Sequence, residues 1–412
     1  MDAKGGRMRA GRDDPAERRV RPTSRADRST DTSDSVRSRR RVLKSIAGIG
    51  AGGLGLGVAT RRPESHGAEN STHEHGLDGV GEVGGSRSRE RIHVGIHEGS
   101  DAGAVGRADR IESWIGPRFD VQNVFIPWDD GRYELDELFG RVLPGIWAAG
   151  RTPMLTWEPY LTSSPTPEDV LERITAGEYD AFLTEWAERM SAAIARANVR
   201  HPRVRTERPA AYVRLAHEAN GNWYPWAPAS GKGTPEEYAS MWRYVRSRVE
   251  RELEAGSLLA WTWAVNGVDV GPYTMEELYP GDAVVDRAGV DNYNWGTSQP
   301  WSRWRSPEEL FAGPVARVRE IVGNDVPIGV TEFASSSLTE EGYDVERKAA
   351  WIREAFGALD RAGIDMAVWF NRDRKTDWAV FDGERGTDRI TGDRRRYEVY
   401  PAYKDGILAR RR

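Results

Sequence analysis

The stretch Ala211-Tyr212-Val213-Arg214-Leu215-Ala216-His217-Glu218-Ala219-Asn220 carries the unit from which the chain is built. A short, mostly apolar run over 211–216 reads as a strand, and it ends abruptly in polar residues. Downstream, Thr234-Pro235-Glu236-Glu237 supplies an N-cap, a proline at the first helical position and acids in the first turn, so a helix is predicted over 235–254. The same strand-then-helix unit recurs on either side. Candidate strands lie at 92–97, 121–127, 152–157, 211–216, 258–265, 287–292, 326–331 and 365–370. Ser306-Pro307-Glu308-Glu309 opens another helix, and a third occupies 344–362 and stops at Gly363. Eight strands alternating with helices predict an α/β chain closed into a (β/α)8 TIM barrel. A doubly wound open sheet is the alternative, although no Gly-rich phosphate loop follows the first strand.

Of the 412 residues, 38% are hydrophobic and 30% charged, and no run reaches the roughly 20 apolar residues of an ordinary membrane-spanning helix. Cysteine is absent, which excludes disulfides, thiolate metal ligands and a cysteine nucleophile. Residues 1–90 hold 18 Lys+Arg against 13 Asp+Glu, whereas the remainder holds 41 against 51. A mildly acidic globular part argues against nucleic acid as the partner. Residues 1–37 are polar and Arg-rich and cannot bury a core. Ser38-Arg39-Arg40-Arg41-Val42-Leu43-Lys44, followed by the Gly/Ala-rich run from Ile46 to Ala59, has the order of a twin-arginine export signal. Three segments are expected: a disordered leader with the export signal over 1–60, a flexible linker over 61–90, and one barrel over 91–412. The product is expected to be secreted, monomeric and free of the membrane after export. The Arg-rich end, 383–412, has Tyr397, Tyr400 and Tyr403 at helical spacing and reads as a last helix closing the barrel.

In a barrel of this kind the active site lies at the C-terminal ends of the strands. Those ends deliver His97 and Glu98, Trp128 and Asp129, Trp157 and Glu158, then His217, Glu218 and Asn220 with Trp223, Tyr224 and Trp226. Later strands deliver Trp261, Trp263 and Asn266, then Asp291, Tyr293, Asn294 and Trp295, then Glu332, and finally Trp369 and Asn371. Carboxylates, amides and tryptophans suit a sugar: ring C–H faces stack on indoles while hydroxyls take polar partners. Some of these tryptophans must instead be core. Glycoside hydrolysis needs two carboxyl groups flanking the scissile bond. Glu218 and Glu332 each directly follow an apolar strand, and strands 4 and 7 face each other across a barrel mouth. A catalytic zinc site would need clustered histidines. Only seven exist, three of them in the linker and none after His217, so no metal and no cofactor are expected, surface-bound calcium apart.

The run Leu215-Ala216-His217-Glu218-Ala219-Asn220-Gly221-Asn222-Trp223-Tyr224-Pro225-Trp226 strongly resembles glycoside hydrolase family 26, whose known members are mostly endo-β-1,4-mannanases. The resemblance continues through Pro235-Glu236-Glu237-Tyr238, Met241-Trp242-Arg243, Val290-Asp291-Asn292-Tyr293-Asn294, Gly329-Val330-Thr331-Glu332-Phe333, Lys348-Ala349-Ala350-Trp351-Ile352, Val368-Trp369-Phe370-Asn371 and Asp377-Trp378. It implies a retaining double displacement with Glu218 as acid/base and Glu332 as nucleophile. It also implies that Tyr293 holds the nucleophile, that His217 bonds near the reacting sugar, and that Trp369 forms the platform beneath it. Asn220, Trp223, Trp226, His97 and Trp157 complete the expected substrate-binding set. The expected partner is a polysaccharide, β-1,4-mannan first, with mixed-linkage β-glucan or xylan open. A non-catalytic carbohydrate-binding barrel is the competing class.

Overall fold

The computed structural model describes residues 91–410 apart from 129–131, 162–163, 201–208, 232 and 254–258. The leader, the export signal and the linker expected over 1–90 lie outside the described residues.

Eight parallel strands form a closed barrel. They are β1 (His93–His97), β2 (Val121–Pro127), β3 (Thr152–Glu158), β4 (Ala211–Leu215), β5 (Leu259–Asn266), β6 (Arg287–Asn294), β7 (Ile328–Ser335) and β8 (Met366–Phe370). Each pairs with its sequence neighbours, and β1 pairs with β8 from His93↔Met366 to His97↔Phe370, which closes the ring and rules out the open sheet. All eight predicted strands are present, within a few residues at their ends. The helices are α1 (Gly103–Ile115), α2 (Arg132–Glu137), α3 (Leu143–Ala148), α4 (Val170–Thr175), α5 (Asp180–Arg200), α6 (Pro235–Glu252), α7 (Pro307–Val322), α8 (Val345–Arg361) and α9 (Pro401–Ala409). Thr234 with Glu237, and Ser306 with Glu309, form reciprocal capping boxes at the starts of α6 and α7, as their sequences suggest. Asp344 caps α8 through the Arg347 amide.

Two expectations fail. The alternation is not complete: β5 and β6 are joined without an α-helix, only by a 3-10 turn at Asp282–Val284. Gly267, Gly271, Pro272, Pro280 and Gly281 punctuate that connection, and Gly271 and Gly281 take positive φ of 123° and 107°, so no helix can propagate through it. The C-terminal segment is not one helix either. Asp388–Gly392 (β9) and Arg395–Val399 (β10) form an antiparallel hairpin before α9. Asp393 and Arg394 between them both have positive φ, 47° and 64°, the backbone of a tight two-residue hairpin turn. Tyr397 therefore lies in a strand against Phe381, Tyr400 precedes Pro401 at the start of α9, and only Tyr403 is helical.

Two apolar regions stabilise the barrel. A large core lies between the strands and the surrounding helices. A second, smaller cluster of Val121, Met154, Tyr212, Met366 and Val368 fills the lower lumen. That plug leaves the upper lumen to polar side chains.

Candidate active site

Side chains alternate along a strand, so the lumen plug fixes which residues point inward. On β3 the inward set is Met154, Thr156 and Glu158; on β4 it is Tyr212 and Arg214; on β8 it is Met366, Val368 and Phe370. The side-chain contacts agree. Phe370 stacks on His97 at 4.8 Å, whereas its neighbour Trp369 packs outward on Phe333, Trp351 and Tyr403. Trp157 likewise faces outward, stacked on Trp186 of α5 at 4.3 Å.

Glu332 reaches the lumen through a break in this alternation. Val290 pairs with Val330, but Asp291 pairs with Glu332, leaving Thr331 as an extra residue in β7. Thr331 and Glu332 consequently both point inward. Thr331 donates to Asp291 at 2.6 Å, and Tyr293 Oη donates to Glu332 Oε2 at 2.5 Å. Gly289 makes room for the bulge, because a Cβ there would stand 2.5 Å from Thr331 Oγ1. Arg214, fully buried, completes the arrangement. Its guanidinium donates to Glu332 Oε1, to Asp291 Oδ2 at 2.5 Å and to Thr156 Oγ1 at 2.9 and 2.8 Å. Negative charge on Glu332 thus meets a fixed cation and a phenolic donor. Burial, with the Glu332 charge beside it, holds the Tyr293 phenol well above its ordinary range, so it stays a donor.

Glu218 is delivered by a strained turn. Immediately after β4, Ala216 and Glu218 take φ of 45° and 53°, left-handed conformations that cost residues with a Cβ about 1–3 kcal/mol each. The turn is held by amide bonds from Ala216 to Trp157 O, from Glu218 to Ala264 O and from Gly221 to Glu218 O, each 2.9 Å. Trp223 Nε1 donates to Glu218 Oε2 at 3.0 Å. Gly221 permits this, since a Cβ there would lie 2.4 Å from the Trp223 ring. Burial raises the Glu218 carboxyl well above its ordinary value, and the nearby Asp291 and Glu332 charges raise it further. One carboxyl is therefore protonated and the other faces donors, the division of labour that acid-assisted displacement requires.

The other expected residues separate into groups. His217 is hydrogen-bonded through Nε2 to Tyr224 Oη at 3.1 Å and stands 4.0 Å from Glu332 Oε1. Burial and the neighbouring Arg214 lower its pKa well below the usual range, so it is a neutral ring. His97 lies in the lumen between Phe370 and Phe125, with burial lowering its pKa to about 3. Asn220 is a clip: its Nδ2 donates to Asn266 O and Asp269 Oδ1, and its Oδ1 accepts from the Asn266 amide, so both its donor hydrogens are spent on the protein. Trp226 stacks behind Tyr224 at 4.3 Å and donates to His217 O, so it supports the wall and does not line it. Trp157 and Trp369 are core residues, and the platform expected of Trp369 is corrected accordingly. An indole beside Tyr293, the phenolic partner of Glu332, is Trp378, 5.1 Å from the Tyr293 ring and 4.8 Å from Trp295.

Sequence reasoning missed Arg214 as a site residue. An arginine inside an otherwise apolar strand was the available signal. His217, Asp291 and Glu332 offer ligand atoms within 4.8 Å of one another, the one such buried group among the described residues. Both carboxylates of that trio already hold Arg214, and the guanidinium supplies the positive charge that a cation would bring. A separate cavity of about 360 Å³ lies beside the mouth, lined by Glu98, Arg107, Arg110 and Arg372 among others, and includes neither Glu218 nor Glu332.

Residues 154–355 match Glycosyl hydrolase family 26. Over 274 residues, 64% of this chain, the sequence is 30% identical to Endoglucanase H of Acetivibrio thermocellus, and the match spans about a quarter, 26%, of that protein's length. The fold is similar to that of a family 26 β-mannanase from Bacteroides ovatus, with a TM-score of 0.50 and 18% identity over 79% of this chain and 89% of that one. It is also similar to the catalytic domain of the family 26 endo-β-1,4-mannanase of Bacillus sp. JAMB-750, at 0.52 and 17% over 77% and 86%. The family match runs from β3 into α8 and so contains the strand ends that carry both carboxyls. That match, the 30% identity and the closed barrel all point one way: the strands that carry both carboxyls are those of the glycosyl hydrolase family 26 pattern.

Proposed function

We propose that the chain is a retaining, endo-acting hydrolase of a β-linked polysaccharide, β-1,4-mannan in the first instance, with Glu218 as general acid/base and Glu332 as nucleophile. The observation that carries this is the opposed surroundings of two buried carboxyls at one barrel mouth. Glu218, kept protonated by burial, gives its proton to the glycosidic oxygen as the bond to the anomeric carbon breaks. Glu332 attacks that carbon with the charge that Arg214 and Tyr293 stabilise. In the second step water attacks the glycosyl-enzyme, its proton passes to the Glu218 carboxylate, and Glu332 leaves. His217 and Trp378 complete the pocket wall around the reacting sugar.

A second reading, a β-glucan backbone, is favoured by the name of the 30% identical relative, Endoglucanase H. The chain is further proposed to act outside the cell as a monomer, exported through the twin-arginine signal near residue 40. Among the described residues no helix is long and apolar enough to cross a membrane.

The test is release of reducing ends from β-mannan, mixed-linkage β-glucan and xylan by the full chain and by Glu218→Ala and Glu332→Ala. NMR of the first-formed anomer accompanies it. Loss of at least ~10³-fold in both variants is expected, about 4 kcal/mol of barrier, with the β-anomer formed first. An α-anomer first would overturn the retaining mechanism, and undiminished activity in either variant would overturn that residue's role.

A further inference from the structure

One buried carboxyl at the mouth has no part in the mechanism above. Glu158 ends β3 and is the third inward residue of that strand, after Met154 and Thr156. It is 1% exposed, yet its Oε1 has no hydrogen-bond partner among the described residues. Its backbone carbonyl accepts from the Trp128 and Tyr160 amides. The groups nearby are otherwise engaged. Arg214 is taken up by Thr156, Asp291 and Glu332, and Asp291 by Arg214 and Thr331. Glu332 is held by Arg214 and Tyr293, and Glu218 by Trp223. His217 Nδ1 is open in the same way as Glu158 Oε1. A buried polar atom left unpaired is costly and calls for an explanation.

We propose that Glu158 is a specificity-determining residue that holds a ring hydroxyl of the β-linked pyranose seated against Glu332. This rests on the glycanase reading of the same mouth. The charged groups that act on Glu158 are Glu332 from β7, Arg214 from β4 and Arg374 from the segment after β8. Burial first, and then the Glu332 charge, push the Glu158 carboxyl up to about 8 against the two arginines. At neutral pH it is a neutral COOH, with one O–H to donate and a carbonyl oxygen to accept. That is the complement of an alcohol, and with two arginines close by it is not the complement of a cation. A site built to bond one hydroxyl rejects sugars that lack it or carry it on the other face, because its own buried polar group is then left unpaired. Glu158 thus separates sugars that differ in the orientation of a single hydroxyl, as mannose and glucose do.

The full chain is compared with Glu158→Gln and Glu158→Leu. kcat and KM are measured on β-mannan and on mixed-linkage β-glucan, with Tm recorded for each. The amide can still donate and accept, so Glu158→Gln keeps kcat/KM on the preferred glycan within about tenfold. Leucine fills the space without a polar atom, so Glu158→Leu loses at least ~100-fold on the preferred glycan, and the ratio between the two glycans falls by at least ~10-fold. Tm stays the same or rises in both variants. An unchanged ratio, or equal losses on both glycans accompanied by a fall in Tm, overturns the proposal. If the wild-type chain hydrolyses neither glycan, Kd for mannopentaose and for a mixed-linkage glucan oligosaccharide is read instead. Binding weakened at least tenfold by Glu158→Leu would then refute the hydrolase reading and leave Glu158's role standing, whereas equal or absent binding overturns both.

Discussion

Replacing Arg214 by methionine tests the electrostatic design of the mouth most directly. Methionine fills much of the same space but deletes the one fully buried guanidinium that touches both Asp291 and Glu332. At an effective dielectric constant near 20, a charge pair about 4 Å apart interacts by about 4 kcal/mol. Arg214 makes two such pairs, against its own desolvation. Breaking a buried pair from one side typically costs about 3–5 kcal/mol, since the remaining charge is buried without a partner. Burial already pushes Asp291 up to about 7 despite Arg214, and it will rise further without it. Arg214→Met is therefore expected to lower Tm by on the order of 10 °C, taking about 2–4 °C per kcal/mol for a large domain. Loss of a preorganised donor at the proposed nucleophile is expected to cost a further ~10²–10³ in kcat. The acid limb of the pH–rate profile should move to higher pH, because each remaining carboxylate ionises against a greater penalty. Arg214→Lys keeps the charge but has no planar fork to span Thr156, Asp291 and Glu332, so it should fall between the two. Circular-dichroism melts and a pH–kcat/KM series on purified variants decide the matter. A folded Arg214→Met protein with Tm within 2 °C of wild type, kcat within threefold and an unmoved acid limb would refute the reasoning.

Three further outcomes follow from the geometry. Glu218 has a folded-state pKa raised above its unfolded 4.5, so its contribution to stability is full below that pH and is lost as pH rises toward the folded value. Glu218→Gln should abolish at least ~10³ of activity while its Tm advantage over wild type widens between pH 4 and 8; a gap that narrows with pH would contradict the sign. Trp223→Phe removes the indole N–H that favours the ionised form of Glu218. If that bond is worth about 1 kcal/mol, the basic limb of the pH–rate profile should rise by about 0.7 unit, and a fall would show that the indole acts otherwise. Trp369→Ala should behave as a core deletion, losing about 3–5 kcal/mol of stability with KM within about twofold; a large KM increase in a stable protein would restore it to the sugar site.

The strands, the capped helices and the two catalytic candidates were legible because each is a local signal. Apolar runs, the Thr234 and Ser306 boxes and the His-Glu motif all lie within a few residues of chain. What failed is what depends on phase or on distance. Trp157 and Glu158 are adjacent in a strand and cannot both face the lumen, nor can Trp369 and Phe370. Alternation alone would have moved both tryptophans into the core. The same rule, carried up β7 from Gly329 and Thr331, would have placed Glu332 outside, because nothing local announces the extra residue at Thr331. Arg214 is invisible for another reason: its acidic partners are 77 and 118 residues away, and only barrel closure brings them together. The spacing of Tyr397, Tyr400 and Tyr403 misled because Pro401 and the turn at Asp393-Arg394 outweigh it.

The places where local rules break are the places where the chemistry sits. A bulge brings in Glu332, two left-handed residues bring in Glu218, and a charged residue in an apolar strand joins Glu332 to Asp291. Each is unfavourable by itself, and each is tolerated because the surrounding barrel is closed and closely packed. Four carboxyls, Glu158, Glu218, Asp291 and Glu332, then share one fully buried guanidinium. Arg214, even with Arg374 near Glu158, cannot offset four anions, so protons must make up the difference, and the donors decide where negative charge is least unfavourable. Glu332 has a guanidinium and a phenol, Asp291 a guanidinium and a threonine hydroxyl, Glu218 one indole, and Glu158 Oε1 none. That ranking places charge on the residue proposed to attack and leaves a proton on the residue proposed to protonate the leaving oxygen. Changing the donors should therefore redistribute the protons without moving a single carboxyl.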